Sequence, residues 1–416
     1  MVRHRPASSG IRMTQPIIAS DRAQYTPALQ RGFITALDPA KPPVRNFPAG
    51  LTGGVLNILD PAALVFAPWA LLSWGQFIRS PAGAPPGIVG SRDRLATNLI
   101  ADSGGFQFIG NPALYHPSST VYRYLGWIEA NADVAMTMDI PTRAIGRGRW
   151  NSFQECLDDT ILNLRDMQAE RSNSQVTVLN VLQGRDWKEC LAWFDAVKVH
   201  QFEGWAFGGG SRDLTTMLRL VARMVGEGIV GRHLHVLGTS SLQRAVELTA
   251  LRRALKKAGH EVEITFDTAT PSLMAANGLI FTGANSKSFT SSQESLPLDP
   301  ALSGSPLPFP ASGSVVGSRM VMGDVLARDG LAQSGLDSTG HALLVHHNTE
   351  QLLRNIEQAN RWADLAPNMP LLGPKGFKQR LHDTGSFLGR YDPEKTITGH
   401  LRGFVDELED DRVDDI

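Results

Sequence analysis

The clearest statement about architecture comes from Leu234–Asp267, LHVLGTSSLQRAVELTALRRALKKAGHEVEITFD. Two short apolar runs, Leu234–Leu237 and Val262–Phe266, flank a long amphipathic segment, Ser241–Gly259. Ser240 followed three residues later by Gln243 reads as a capping box, and Gly259 as a helix terminator. A helix between two strands carries the chain back to the end it left, so the strands pair in parallel. Short runs that are apolar throughout suit strands covered on both faces.

The same alternation extends upstream. Leu99–Ala101, Val134–Met138, Val176–Leu182 and Trp205–Phe207 are further strand candidates, and Phe153–Ala169 is a second clear helix. With Val55–Leu59 and Leu64–Phe66 the count reaches eight, so the expectation is an α/β fold, a (β/α)8 TIM-type barrel; a doubly wound sheet would share the pattern. Residues 1–30 read as a loose arm, 31–283 as the main part of the barrel, and 284–318 as a Ser/Pro-rich loop. Residues 319–405 read as a helical part completing or flanking the barrel, and 406–416 as an acidic tail.

Bulk properties narrow the function classes. The 416 residues are 42% hydrophobic and 19% charged, enough for one large core. Cys156 and Cys190 form neither a disulfide framework nor a CxxC metal site, which fits a reducing compartment. Met1–Gln24 lacks a continuous apolar core, and Ile58–Trp74 is broken by Asp60, Pro61 and Pro68, so neither a secretory signal nor a membrane span is expected. The expected location is cytoplasmic, in a prokaryotic or phage-infected cell. The net charge is −1, of which the tail from Asp406 contributes −6, leaving a mildly basic body compatible with a nucleic-acid partner.

In a parallel barrel the active site lies at the C-terminal strand ends. The residues closing the runs are Asp102, Asp139, Gln183, Gly208–Gly209, Gly238 and Asp267. A single Asp after a strand is commonly the N-cap of the next helix. Six polar or glycine closures in series instead suit a site for a flat, hydrogen-bonding molecule. In LIADSGGFQFIG (Leu99–Gly110), Asp102 ends a strand, two glycines free the backbone for close approach, and Phe106 is placed to stack on a ligand. Two carboxylates of such a set can divide displacement at a sugar carbon between nucleophile and proton carrier.

The motifs ADSGGFQ (Ala101–Gln107), ADVAMTMD (Ala132–Asp139), VLQG (Val181–Gly184), GWAFGGGS (Gly204–Ser211), HVLGTSS (His235–Ser241) and ITFDTATPSLMAANGLIF (Ile264–Phe281) resemble, in order, those of tRNA-guanine transglycosylases. The likeness spans about Leu99–Gly283, with an echo at Ala342–Leu353. It implies a (β/α) barrel exchanging a guanine in nucleic acid for a 7-deazaguanine base without a cofactor. By resemblance Asp267 is the nucleophile at C1′ and Asp102 the general acid/base. Asp139 then accepts from the N1–H and 2-amino group of the base, and Gln183 and the Gly209 N–H face its O6. Phe106 stacks, and Ser103 and Gly208 belong to the base-binding set.

Two departures redirect the substrate. The family's CxCxxC…H zinc site is reduced to His347, with no cysteine between it and the nucleophile, so no metal is expected. Where the tRNA enzymes carry two arginines after the nucleophile, this chain has Leu273 and Ala276 in PSLMAANG. The pattern resembles the DNA-guanine transglycosylases of 7-deazaguanine DNA modification, implying DNA and a free base such as preQ0 as partners. tRNA as the polynucleotide, or a noncatalytic nucleic-acid-binding subunit, are the alternatives, and a homodimer or accessory modification proteins are compatible with each. Arg143, Arg147 and Arg149, with Lys375, Lys378 and Arg380, are the candidate contacts to a nucleic-acid backbone.

Overall fold

The computed structural model describes residues 14–48, 50–78, 85, 87–326, 335–369 and 371–389. Eight parallel strands form one sheet: β1 (Gln24–Pro27), β2 (Trp69–Ser73), β3 (Asn98–Asp102), β4 (Val134–Met136), β5 (Thr177–Leu182), β6 (Gly204–Phe207), β7 (His233–Val236) and β8 (Glu263–Thr268). β1 pairs with β8, placing Thr26 opposite Asp267, and an Ala28–Leu71 bridge with a 2.8 Å bond from Leu29 N–H to the Leu71 carbonyl brings β1 to β2. The sheet thus curls into a nearly closed (β/α)8 barrel with helices between strands.

Alternation along each strand sorts the side chains. Leu71, Ile100, Val134, Met136, Leu179, Val181 and Ala206 fill the barrel interior. Their neighbours Leu99, Ala101, Val178, Leu182, Phe207, Leu234, Ile264 and Phe266 pack outward under the helices. Several helices start on a side-chain cap: Ser152 accepts from Glu155 N–H, Asp186 from Glu189 N–H and Asp213 from Thr216 N–H. The helix Leu242–Lys257 is capped by Ser241, accepting from Arg244 N–H, so the cap lies one residue later than the Ser240 and Gln243 reading. Cys156 and Cys190 are free and buried. Among the described residues no helix is long and apolar enough to cross a membrane.

The arm expected over residues 1–30 contains β1, and Ala23 N–H donates to Thr249 Oγ1 beside it. Val55–Leu59 and Leu64–Phe66 are not strands. Their apolar side chains are largely buried, but Asn57 and Asp60 turn the backbone on itself through bonds to Leu59 and Ala62 N–H. Nor is 284–318 one open loop. β9 (Leu279–Asn285) and β10 (Thr290–Ser295) form an antiparallel hairpin beside the helix Ser338–Leu365. Asn348 of that helix accepts from Phe281 N–H and donates to the Pro271 and Leu279 carbonyls, and Asn355 donates to the Gly283 carbonyl. Residues 390–405 and the acidic tail lie outside the described residues.

Candidate functional site

Asp102, Gln183 and Asp267 each stand two residues beyond an interior residue, Ile100, Val181 and Thr265. The pleat that points those three into the barrel therefore turns the polar side chains toward its C-terminal mouth. There a cavity of about 630 Å³ is lined by Asp102, Asp139, Gln183, Gly208, Gly209 and Asp267. A smaller cavity of about 260 Å³ lies outside the barrel, between Leu242–Lys257 and Ser338–Leu365, and holds none of these groups.

None of the three carboxylates serves as a helix cap. The helix Gly105–Gly110 begins after Gly104 and Thr270–Ala276 after Ala269, neither with a side-chain cap. Asp102 Oδ2 accepts from Gly104 N–H at 3.2 Å. Burial raises its pKa and the Asp267 charge adds to the effect, against hydrogen bonds from Ser73 and Gly104. Asp139 is 5% exposed and accepts from Gln183 Nε2 at 2.8 Å. Burial lifts its pKa to about 7; the Gln183 bond opposes this and the Asp102 charge reinforces it. Asp267, 7% exposed, differs in that Oδ1 receives Gly238 N–H at 2.9 Å and lies 3.2 Å from His235 Nε2.

The glycines act by close packing. Gly104 has φ +91°, and a Cβ there would meet Gly75 Cα at 2.6 Å; a Cβ on Gly105 would meet Pro141 Cγ at 2.7 Å. They seat the Asp102 turn against neighbouring loops, where the sequence reading had them making room for a ligand, although Gly105 also lines the cavity. A Cβ on Gly208 or Gly209 would strike the Gln183 amide at 2.6 or 2.7 Å, so these glycines let Gln183 lie across their loop. Gly208 and Gly210 N–H bond to the Leu182 and Gly184 carbonyls.

The remaining assigned residues divide. Ser103 is fully buried, its Oγ has no partner among the described residues, and it is not part of the cavity lining. Phe106 lies on Gly105–Gly110, but its side chain falls outside the described residues. Arg143 reaches the cavity wall and Arg147 is exposed nearby. Arg149 pairs with Asp159 at 3.4 Å and lies over the Tyr115 ring. Lys375 is exposed. Lys378 Nζ bonds the Ala366 carbonyl, and Arg380 bonds Gln243 at 2.6 Å and pairs with Glu247. Of the six cations only Arg143 lines the mouth cavity.

His347 is held inside the protein: Nε2 lies 2.9 Å from the Phe281 carbonyl and Nδ1 2.7 Å from Ser314 Oγ, and burial lowers its pKa to about 4. Among the described residues no group of three or more His, Cys, Asp or Glu is arranged to hold a metal ion.

Sequence reasoning passed over Arg185, Arg212 and Gln107, which also line the cavity. Arg212 ties two mouth loops together by donating to the Gly209, Leu237 and Gly238 carbonyls. It also missed His235, although two histidines in one short apolar strand were a readable signal. Chemically, the mouth offers one carboxylate fixed by donors beside two that burial pushes toward the protonated form, a division suited to nucleophilic and proton-transfer roles. No protein-family model matches this chain, and no curated protein matches it.

Proposed function

We infer that this protein is a transglycosylase that exchanges guanine in DNA for a 7-deazaguanine base, preQ0 or a relative, through a covalent glycosyl-enzyme. The observation that carries the reading is the gathering of Asp102, Asp139 and Asp267 on one cavity, none of them capping a helix. In this reading an Asp267 carboxylate oxygen bonds C1′ as the bond to guanine N9 breaks and its electron pair leaves with the base. Asp102, whose pKa burial raises, is the proton carrier and protonates the departing base. It then takes the proton of the incoming 7-deazaguanine as that base attacks C1′ and releases Asp267. Asp139 and Gln183, already joined, meet the hydrogen-bonding edge of the purine.

DNA is favoured over tRNA by the surface beyond the nucleophile. Leu273 is 58% exposed and Ala276 is exposed on the same short helix, so uncharged side chains occupy the surface where arginines would meet an anticodon loop. A base in duplex DNA must be extruded to reach this mouth.

The test offers labelled preQ0 with duplex DNA in one reaction and bulk tRNA in another. Label is expected in DNA and lost with Asp267→Ala, together with any covalent protein–DNA adduct. Label in tRNA alone would restore the tRNA reading, and label in neither, with guanine exchange also absent, would overturn the enzymatic one.

A further inference from the structure

The barrel interior changes character on one side. β2 to β6 contribute mostly apolar side chains, among them Trp69, whose ring packs edge-on against His233 at 5.6 Å, whereas β7 and β8 contribute His233, His235, Thr265 and Asp267, all buried. Polar groups in such a place are costly unless each is paired. Here they form one column: Thr265 Oγ1 lies 2.7 Å from both His233 Nε2 and His235 Nδ1, and His235 Nε2 lies 3.2 Å from Asp267 Oδ1.

The column has a direction. An ionised Asp267 only accepts, so His235 Nε2 must carry the hydrogen between them. With the ring carrying that one hydrogen, Nδ1 is bare and takes the single hydrogen of the Thr265 hydroxyl. The Thr265 oxygen in turn accepts from His233 Nε2–H. Burial depresses the pKa of His233 to about 3, which keeps the foot of the column neutral. With Gly238 N–H also on Oδ1, that oxygen holds two donors, while no described donor reaches Oδ2.

We propose that His235 is the positioning residue of the nucleophile: its Nε2–H, with Thr265 and His233 completing the hydrogen bonds on the far side of the ring, anchors Asp267 Oδ1 and leaves Oδ2 as the attacking oxygen. The chemistry in this proposal rests on the transglycosylase reading; the hydrogen-bond column does not. Anchoring one oxygen fixes the carboxylate plane before substrate arrives, so no reorganisation is needed at attack. The same two donors stabilise the carboxylate when the second base displaces it.

Two measurements test it on the full chain. In protein labelled with 15N-histidine, the ring signals of His235, identified by their loss in His235→Gln, should show a protonated Nε2 and an unprotonated Nδ1. Thr265→Val, close in shape, should keep the Nε2 hydrogen that Asp267 demands and shift the Nδ1 signal, which loses its hydroxyl donor. A protonated Nδ1, alone or in an imidazolium, would overturn the column. In the preQ0 exchange assay, His235→Leu should lower kcat about 10- to 100-fold through loss of a hydrogen bond to a charged group. KM for the base should stay within about threefold, the signature of an interaction used in the reaction step. His235→Gln, which restores an N–H donor, should recover most of the rate, and Thr265→Val should lose part of it even if His235→Leu fails to fold. Equal kcat in wild type, His235→Leu and Thr265→Val would overturn the proposal. If wild type exchanges no base, the transglycosylase reading falls, and the ring signals still decide the column.

Discussion

A buried carboxyl whose pKa stands near 7 makes Asp139 a test of both site and stability. Between the ordinary carboxylate range and about 7, the folded protein keeps a proton that the unfolded chain has released. The contribution of this group is therefore full at low pH and is lost as pH rises through about 7, where a charge is forced into a site 5% exposed. Asp139→Asn removes that charge and leaves an oxygen to accept from Gln183. Its Tm should exceed that of wild type by roughly 2–5 °C at about pH 8, with the gap closing near pH 4. Differential scanning calorimetry across that range is the check, and a gap independent of pH would reject burial as the cause. The variant should also bind free preQ0 more weakly, because an amide cannot accept two hydrogen bonds through ionised oxygens. Asp102, Asp139, Gln183 and Asp267 were legible because a strand end is a local feature. At His235 the residue type was a readable signal but its role was not, since that comes from Thr265 and Asp267 on the neighbouring strand, paired in register.

The turn after β3 shows how an element is held by something distant in sequence. Gly104 combines a left-handed φ of +91° with a close approach to Gly75, which follows β2. Ala at 104 meets a conformational penalty and a backbone clash together, and it displaces the N–H that Asp102 accepts. Gly104→Ala should cost about 1–3 kcal/mol in urea unfolding. Gly110→Ala, where a Cβ would meet nothing within 4 Å, should stay within about 0.5 kcal/mol. Equal effects at the two positions would show that the Gly75 contact is not what the turn requires. The same distinction explains what could be read along the chain. β3 to β8 announced themselves as apolar runs alternating with helices. β1, whose QYTP carries no such run, gave no signal, while the stronger apolar signal of Val55–Phe66 belongs to side chains buried without strand pairing. β10, TSSQES, is polar and mostly exposed, and Asn355 bonds across to it from a helix far along the chain.

At the scale of the molecule, the barrel depends on joining its first strand to its last. Residues 19–27 lie between the helices Leu242–Lys257 and Ser338–Leu365. Ala19 N–H bonds Glu357 at 3.3 Å, Arg22 pairs with Asp364 at 2.6 Å, Arg252 donates to the Ser20 carbonyl, and Thr26 Oγ1 donates to the Phe266 carbonyl at 3.0 Å. β1 thus covers the strand that bears Asp267, and with the Leu29–Leu71 bond it brings β2 to the other side of the opening. A chain beginning at Arg31 would lose these contacts and expose two sheet edges, on β2 and β8, with their backbone groups unpaired. It should be recovered mainly as aggregate; any soluble fraction should lose near-UV circular dichroism and run with an enlarged hydrodynamic radius by size exclusion. A soluble monomer of wild-type Tm would mean that β8 holds its register without β1. The barrel would then stand open at the strand beside its proposed nucleophile, and the hydrogen-bonded column beneath Asp267 would have to keep that carboxylate in place alone.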